Sequence, residues 1–276
     1  MDQLADAHLH LFTNGFRGRG GSSPAGPGLE VDAYESLARR HGIVAGLVVG
    51  YEGEGIDPDN NSYIRSLAAT HPWMSTVADV STNAASDPTQ LHLLLELGHR
   101  GIALYLPDIE TAKVVSSWPT GSWRLLEEAN ALVSVNAGPA GIQGLAGVVE
   151  RTPGCTFLFS HLGDPGRFTQ PPSTDDAAHR IGALLRLARN DNVYVKISGL
   201  YAISDPANAY PHEAAWPFID VVLQKFGPDH CLWGSDFSPC LDDVSFEQAI
   251  RNPVLEGLPP ADYERVMGGN LLELLR

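Results

Sequence analysis

Short apolar segments recur along the chain at fairly regular intervals. Each has about the length of a β-strand and is rich in β-branched or aromatic residues. Most are apolar without alternation, which predicts strands that are buried on both faces of a parallel sheet. The eight predicted strands lie within residues 4–12, 42–50, 73–80, 101–107, 131–138, 156–163, 193–201 and 231–238.

Segments with helical periodicity separate these strands. In the first, Val31, Tyr34, Leu37 and Ala38 share one face. The alternation predicts a single (β/α)8 TIM barrel, an α/β fold, as one domain over residues 1–276. A doubly wound open sheet is the alternative, but no glycine-rich fingerprint follows the first strand. The predicted helices lie within residues 31–41, 61–71, 87–98, 121–130, 142–152, 176–190, 212–227, 245–252 and 261–275.

Composition narrows the classes of partner. The chain has 276 residues, a hydrophobic fraction of 43% and a formal net charge of −15, which argues against binding to nucleic acid. No apolar run approaches the roughly 20 residues of a membrane-spanning helix. The acidic N-terminus does not resemble a secretory signal. The three cysteines form no disulfide pattern, which predicts a cytoplasmic protein. We expect a small molecule as the substrate, and a homo-oligomer stays open.

Polar residues stand at the C-terminal ends of several predicted strands, where barrel enzymes place their active sites. His8 and His10 end strand one and, at positions i and i+2, project from the same face. Asn136, His161 and Asp236 end strands five, six and eight. Two adjacent imidazoles suit a divalent ion such as zinc, although core histidines with hydrogen bonds are the alternative.

Three further features have both a functional and a structural interpretation. Asp236 lies in an apolar neighbourhood and needs a metal or an imidazolium as a partner, unless it caps the following helix. Lys196 is interpreted as an internal salt-bridge partner, with a Schiff-base lysine as the alternative. The glycine-rich loop 13–30 follows strand one and would lie on the catalytic face, where Arg17 either holds an acidic substrate group or is solvated.

Five motifs together resemble the amidohydrolase superfamily, and in particular its amidohydrolase-2 branch of metal-dependent TIM-barrel hydrolases. The resemblance implies that His8 and His10 bind a divalent metal, with zinc expected. It also implies that Asp236 contacts the metal and takes the proton from the attacking water, and that His161 orients this water or polarises the substrate carbonyl. The motifs are DAHLHLF, FLFSHLGDP, NVYVKISGLY, CLWGSDFSP and MGGNLLELL.

The sequence departs from this family pattern on strands four and five. Asn136 stands where many members have a metal-binding histidine, and strand four offers Tyr105 and no lysine. The resemblance therefore implies one metal or none, as in lactonase members, so we predict the hydrolysis of a small cyclic ester. The alternatives are a metal-dependent decarboxylase of an aromatic or dienoic acid and an inactive ligand-binding barrel. The predicted substrate-binding residues are Asn136, Tyr105, Ser198, Tyr201 and Arg17.

Overall fold

Eight parallel strands follow one another around a sheet in sequence order, each hydrogen-bonded to the next. The structure is a computed structural model that describes residues 3–26, 28–52, 57–82 and 87–276. The register pairs Tyr105 with Asn136 across two neighbouring strands. The strands are β1 (Leu4–Leu9), β2 (Ile43–Val49), β3 (Met74–Asp79), β4 (Gly101–Leu106), β5 (Leu132–Ala137), β6 (Thr156–Phe159), β7 (Val193–Ile197) and β8 (Cys231–Trp233).

The segment after β8 joins the two ends of this sheet. Leu9 forms a parallel bridge with Phe237, and the backbone N–H of Asp236 donates to the carbonyl of His8 at 2.8 Å. The N–H of His10 donates to the carbonyl of Phe237. These bonds bring the ends of β1 and β8 together, and the predicted TIM barrel is confirmed.

Helices cover the outside of the barrel and largely follow the predicted periodicity. Asp87 is the N-cap of the third helix, because its side chain accepts from the N–H of Thr89 and Pro88 begins the helix. The helices in the described ranges are α1 (Glu30–His41), α2 (Asn60–Ala68), α3 (Pro88–Glu96), α4 (Ile109–Ser116), α5 (Thr120–Glu128), α6 (Pro139–Arg151), α7 (Thr174–Arg180), α8 (Gly182–Leu185), α9 (Leu200–Ile203), α10 (Trp216–Phe226), α11 (Phe246–Ile250), α12 (Pro253–Glu256), α13 (Pro260–Glu264) and α14 (Asn270–Leu274).

Two helix predictions are corrected. The segment 176–190 is divided into α7, α8 and a 3₁₀ turn (Arg186–Arg189), with the break at Ile181 beside Gly182, a residue of low helix propensity. The predicted helix 261–275 contains a π-helical turn (Arg265–Gly269) between α13 and α14. A Cβ at Gly268 would overlap the backbone at the start of β1, so this turn approaches the barrel too closely for a side chain.

The core has two parts. Small and branched residues fill the barrel interior, including Ala5, Ala7, Leu47, Val77 and Leu232. A larger cluster lies between the strands and the surrounding helices. All three cysteines are buried and unpaired. No helix within the described ranges is both long enough and apolar enough to cross a membrane.

Candidate active site

An open pocket lies over the C-terminal ends of the strands. Its walls come from the end of β1, the loops after β1, β2, β7 and β8, and the ends of β4, β5 and β6. Several predicted site residues meet there, together with aromatic residues that the sequence did not single out. The lining residues are His10, Phe12, Phe16, Tyr51, Tyr105, Asn136, His161, Tyr201, Asp236 and Pro239.

Asp236 lies directly after β8 with its side chain turned towards β1. Its Oδ1 is 3.5 Å from Nε2 of His8 and 3.6 Å from Nε2 of His10, and its Oδ2 accepts a hydrogen bond of 2.7 Å from Tyr201. The residue has a φ of 58°, a left-handed conformation that is uncommon for a non-glycine residue. The following 3₁₀ turn is preceded by Ser238, so Asp236 is not its N-cap.

The imidazole rings of His8 and His10 contact each other in the barrel mouth. Their Nε2 atoms are 3.2 Å apart, and Nδ1 of His10 is 2.8 Å from the carbonyl of Val49. Because a carbonyl only accepts, Nδ1 of His10 carries the hydrogen and Nε2 of the neutral ring has a free lone pair. Burial is the main cause that lowers the pKa of both histidines, His8 well below its usual range, which favours neutral imidazoles.

Lys196 is fully buried beneath His8. Its Nζ is 3.1 Å from Nδ1 of His8 and donates to Oγ of Ser134 at 2.7 Å. Burial lowers the pKa of Lys196 to about 7, although the nearby carboxylates of Asp6 and Asp236 oppose that change. Lys196 therefore contacts the pocket floor from behind and does not line the pocket, so the structure favours the internal-partner interpretation over a Schiff base.

The buried carboxylates of Asp6 and Glu30, which the sequence did not single out, hold the site together. Asp6 accepts from the N–H of His8, from both the N–H and the hydroxyl of Ser235, and from the hydroxyl of Tyr34, at 2.5–3.1 Å. Burial raises the pKa of Asp6 to about 6 against these hydrogen bonds. The only sequence signal was an acid in an apolar strand, two residues before the first histidine.

Glu30 connects the long loop after β1 to the loop after β8. Its carboxylate accepts from the N–H groups of Phe12 and Phe16 at 2.9 and 2.7 Å, and from the hydroxyl of Ser238 at 2.6 Å. Only 2% of Glu30 is exposed. This buried anchor positions the glycine-rich loop on the catalytic face, as its place after strand one predicted.

His161 is held by the segment that directly follows β7. Its Nδ1 is 3.0 Å from Oγ of Ser198, which also accepts from the backbone N–H of His161 at 3.3 Å. A Cβ at Gly199 would overlap the imidazole, so the close approach requires glycine, whose φ is 61°. The ring centroids of His161 and His8 are 4.8 Å apart.

The donor atoms fit a single divalent ion. Tetrahedral zinc with ligands at about 2.0–2.1 Å requires neighbouring donors about 3.3–3.4 Å apart. The three distances among Nε2 of His8, Nε2 of His10 and Oδ1 of Asp236 are 3.2, 3.5 and 3.6 Å. His161 joins a wider set, in which its donor atom and those of His8 and Asp236 lie within 4.8 Å of one another. The compact triangle is therefore the better match to one ion.

The predicted substrate-binding residues divide into two groups. Tyr105, Asn136 and Tyr201 line the pocket. Ser198 is buried and contacts His161 from behind, while Arg17 is exposed and does not line this pocket. Their roles in substrate binding stay predictions.

The family model Amidohydro_2, described as amidohydrolase, matches residues 5–276. The chain belongs to the amidohydrolase family. The amidohydrolase is thus an enzyme of the hydrolase type, as the sequence motifs predicted. No curated protein matches its sequence significantly.

Solved structures share the fold of this amidohydrolase at low sequence identity. One is an amidohydrolase from Burkholderia multivorans with bound zinc, at 20% identity and a TM-score of 0.77, covering 99% of this chain and 98% of that one. Another is described as a probable 2-pyrone-4,6-dicarboxylic acid hydrolase from Acinetobacter baumannii with citric acid bound, at 19% identity and a TM-score of 0.74, covering 99% of both chains. A protein of similar description from Pseudomonas putida has 20% identity and a TM-score of 0.74, covering 99% and 97%.

Proposed function

We propose that this amidohydrolase hydrolyses a small lactone with water activated by Asp236. The observation that carries the proposal is the position of the Asp236 carboxylate, whose Oδ1 is 3.5–3.6 Å from two imidazole nitrogens at the floor of an open pocket. The similarity to proteins described as hydrolases of a pyrone, which is a cyclic ester, supports the choice of reaction.

The proposed reaction needs one base and one electrophile. Asp236 accepts a proton from water as the water oxygen bonds to the lactone carbonyl carbon. The ring C–O bond then breaks, and the leaving oxygen takes the proton back from Asp236. The product is a hydroxy acid, so one water has been added and no redox partner is required. Tyr201, which donates to Oδ2, keeps Oδ1 directed towards the histidines.

His161 is the proposed carbonyl-polarising residue. If the Ser198 hydroxyl donates to Nδ1, the neutral ring carries its hydrogen on Nε2 and can donate it to the substrate. His10 is unsuited to this task, because its hydrogen is bound to the carbonyl of Val49. We therefore assign carbonyl polarisation to His161 and not to His10.

We assign the metal-binding role to His8, His10 and Asp236. A bound divalent metal would lower the pKa of its water towards about 7. The free Nε2 of His10 suits metal binding as it stands. His8 would have to carry its hydrogen on Nδ1, where Oγ of Ser160 at 3.3 Å and the neutral Nζ of Lys196 at 3.1 Å would be the available acceptors. Zinc is the ion we expect, because two imidazoles and one carboxylate suit it.

Product analysis tests the reaction class. The purified protein is incubated with a panel of lactones and, separately, with aromatic carboxylic acids in water enriched in oxygen-18. We expect lactones to gain one labelled water and to form a hydroxy acid with one heavy carboxylate oxygen. Release of carbon dioxide from an aromatic acid, with no lactone hydrolysed, would replace the proposal with the decarboxylase alternative.

A further inference from the structure

Aromatic side chains dominate the pocket above the proposed hydrolytic residues. The rings of His10 and Phe12 are stacked, with centroids 6.0 Å apart and an angle of 18° between their planes. Phe16 extends this side, 5.9 Å from Phe12. Tyr51, in the loop after β2, and Tyr105, on β4, meet edge to face with their ring centroids 4.8 Å apart. Such surfaces favour a flat apolar ring, because aromatic contacts reward offset stacking and edge-to-face approach.

No cationic side chain faces this pocket. The sequence has 18 lysines and arginines, and none of them falls outside the described ranges. Within those ranges, no lysine or arginine lines the pocket. Arg19 forms ion pairs with Asp242 and Asp243, and Lys196 is fully buried behind His8. A carboxylate on the substrate would therefore lose its hydration without gaining the paired cation that a buried charge needs.

Carboxylates surround the same end of the barrel. Asp79 ends β3 and accepts from the N–H of Glu52, and Asp57 accepts from the N–H of Thr13 after β1. Asp236 itself lies on the pocket wall. A metal at the floor would add positive charge only there, and Asp236 would offset part of it. The electrostatic environment thus disfavours anions away from the floor.

From these observations we infer that the substrate is an uncharged lactone with a planar aromatic or similarly apolar ring. This inference rests on the proposed lactone hydrolysis and names its substrate class. It differs from the dicarboxylate in the names of the structural neighbours. The same charge distribution repels the carboxylate product as it forms, so product inhibition is expected to be weak.

A matched set of lactones tests the inference on the intact protein with any metal it carries. Dihydrocoumarin-6-carboxamide and dihydrocoumarin-6-carboxylate share a shape and differ in charge, and gluconolactone is uncharged but polyhydroxylated. We expect kcat/KM for the carboxamide to exceed that for the carboxylate at least tenfold. Added salt should narrow this ratio, because it screens the repulsion.

A substitution at Phe16 tests the predicted charge preference independently. Phe16→Arg places a cation on the pocket wall and should shift the ratio towards the carboxylate at least tenfold, while Phe16→Leu should leave the charge preference intact. Preference of the wild type for the carboxylate or for gluconolactone would overturn the inference and leave lactone hydrolysis standing. Failure to hydrolyse any lactone in the set and in the wider panel would instead overturn the proposed function.

Discussion

The lowered pKa of Lys196, which is buried beneath the site, predicts how the stability of the protein depends on pH. Burial lowers its pKa from 10.5 to about 7 in the folded protein. Between these two values Lys196 binds the proton in the unfolded chain and not in the folded chain, so its contribution to the free energy of unfolding rises with pH in this window. Each pH unit in the window contributes up to about 1.4 kcal/mol. From pH 7 to pH 9 this sums to about 2 kcal/mol, since Lys196 is half protonated at the lower limit.

Lys196→Met keeps the length of the buried side chain and removes its titration. The free energy of unfolding is measured by urea denaturation at pH 7, 8 and 9 in chelator-treated protein, and the variant is subtracted from the wild type. We expect this difference to rise by about 2 kcal/mol in favour of the wild type. Lys113→Met, at an exposed residue paired with Glu110, should leave the difference flat. Parallel dependence of the two free energies on pH would show that burial does not lower the pKa of Lys196 in the folded protein.

Three further perturbations test other parts of the site. Glu30→Gln weakens charge-assisted hydrogen bonds to the loop after β1, so we expect urea denaturation to show a free energy of unfolding lower by about 2–4 kcal/mol. An unchanged urea midpoint would contradict the anchoring role of Glu30. Gly199→Ala should displace His161 and lower kcat/KM at least tenfold with an unchanged circular dichroism spectrum, whereas Gly121→Ala, which meets open space, should not. Chelation should lower the thermal midpoint of the zinc-loaded protein, and added zinc should restore it. If His8, His10 and Asp236 form the metal site, the thermal midpoint of His10→Ala should respond to neither treatment.

The barrel was predictable because its signals are local. The unbroken apolar segment 101–107 corresponds to a strand buried on both faces, and parallel strands end on one face of a barrel. This rule alone brings His161 and Asp236 to the end of β1. Their meeting therefore required no knowledge of side-chain contacts.

The remaining contacts of the site join residues that are far apart in the sequence. Lys196 reaches His8 through 188 residues of sequence separation, and Glu30 reaches Ser238 through 208. No periodicity predicts such pairs. The exposed position of Arg17 likewise follows from how Glu30 holds the loop, because the neighbouring Phe16 is the residue that faces the pocket.

We propose above that Asp236 activates water for lactone hydrolysis. The most direct test of this role compares acid release from an uncharged aromatic lactone by the wild type, Asp236→Asn and the control Asp191→Asn, which changes an exposed residue before β7. We expect Asp236→Asn to lower kcat at least about a hundredfold, with an unchanged thermal midpoint of the chelator-treated protein, while the control keeps full activity. Acid release by Asp236→Asn at the wild-type rate would show that Asp236 is not the base.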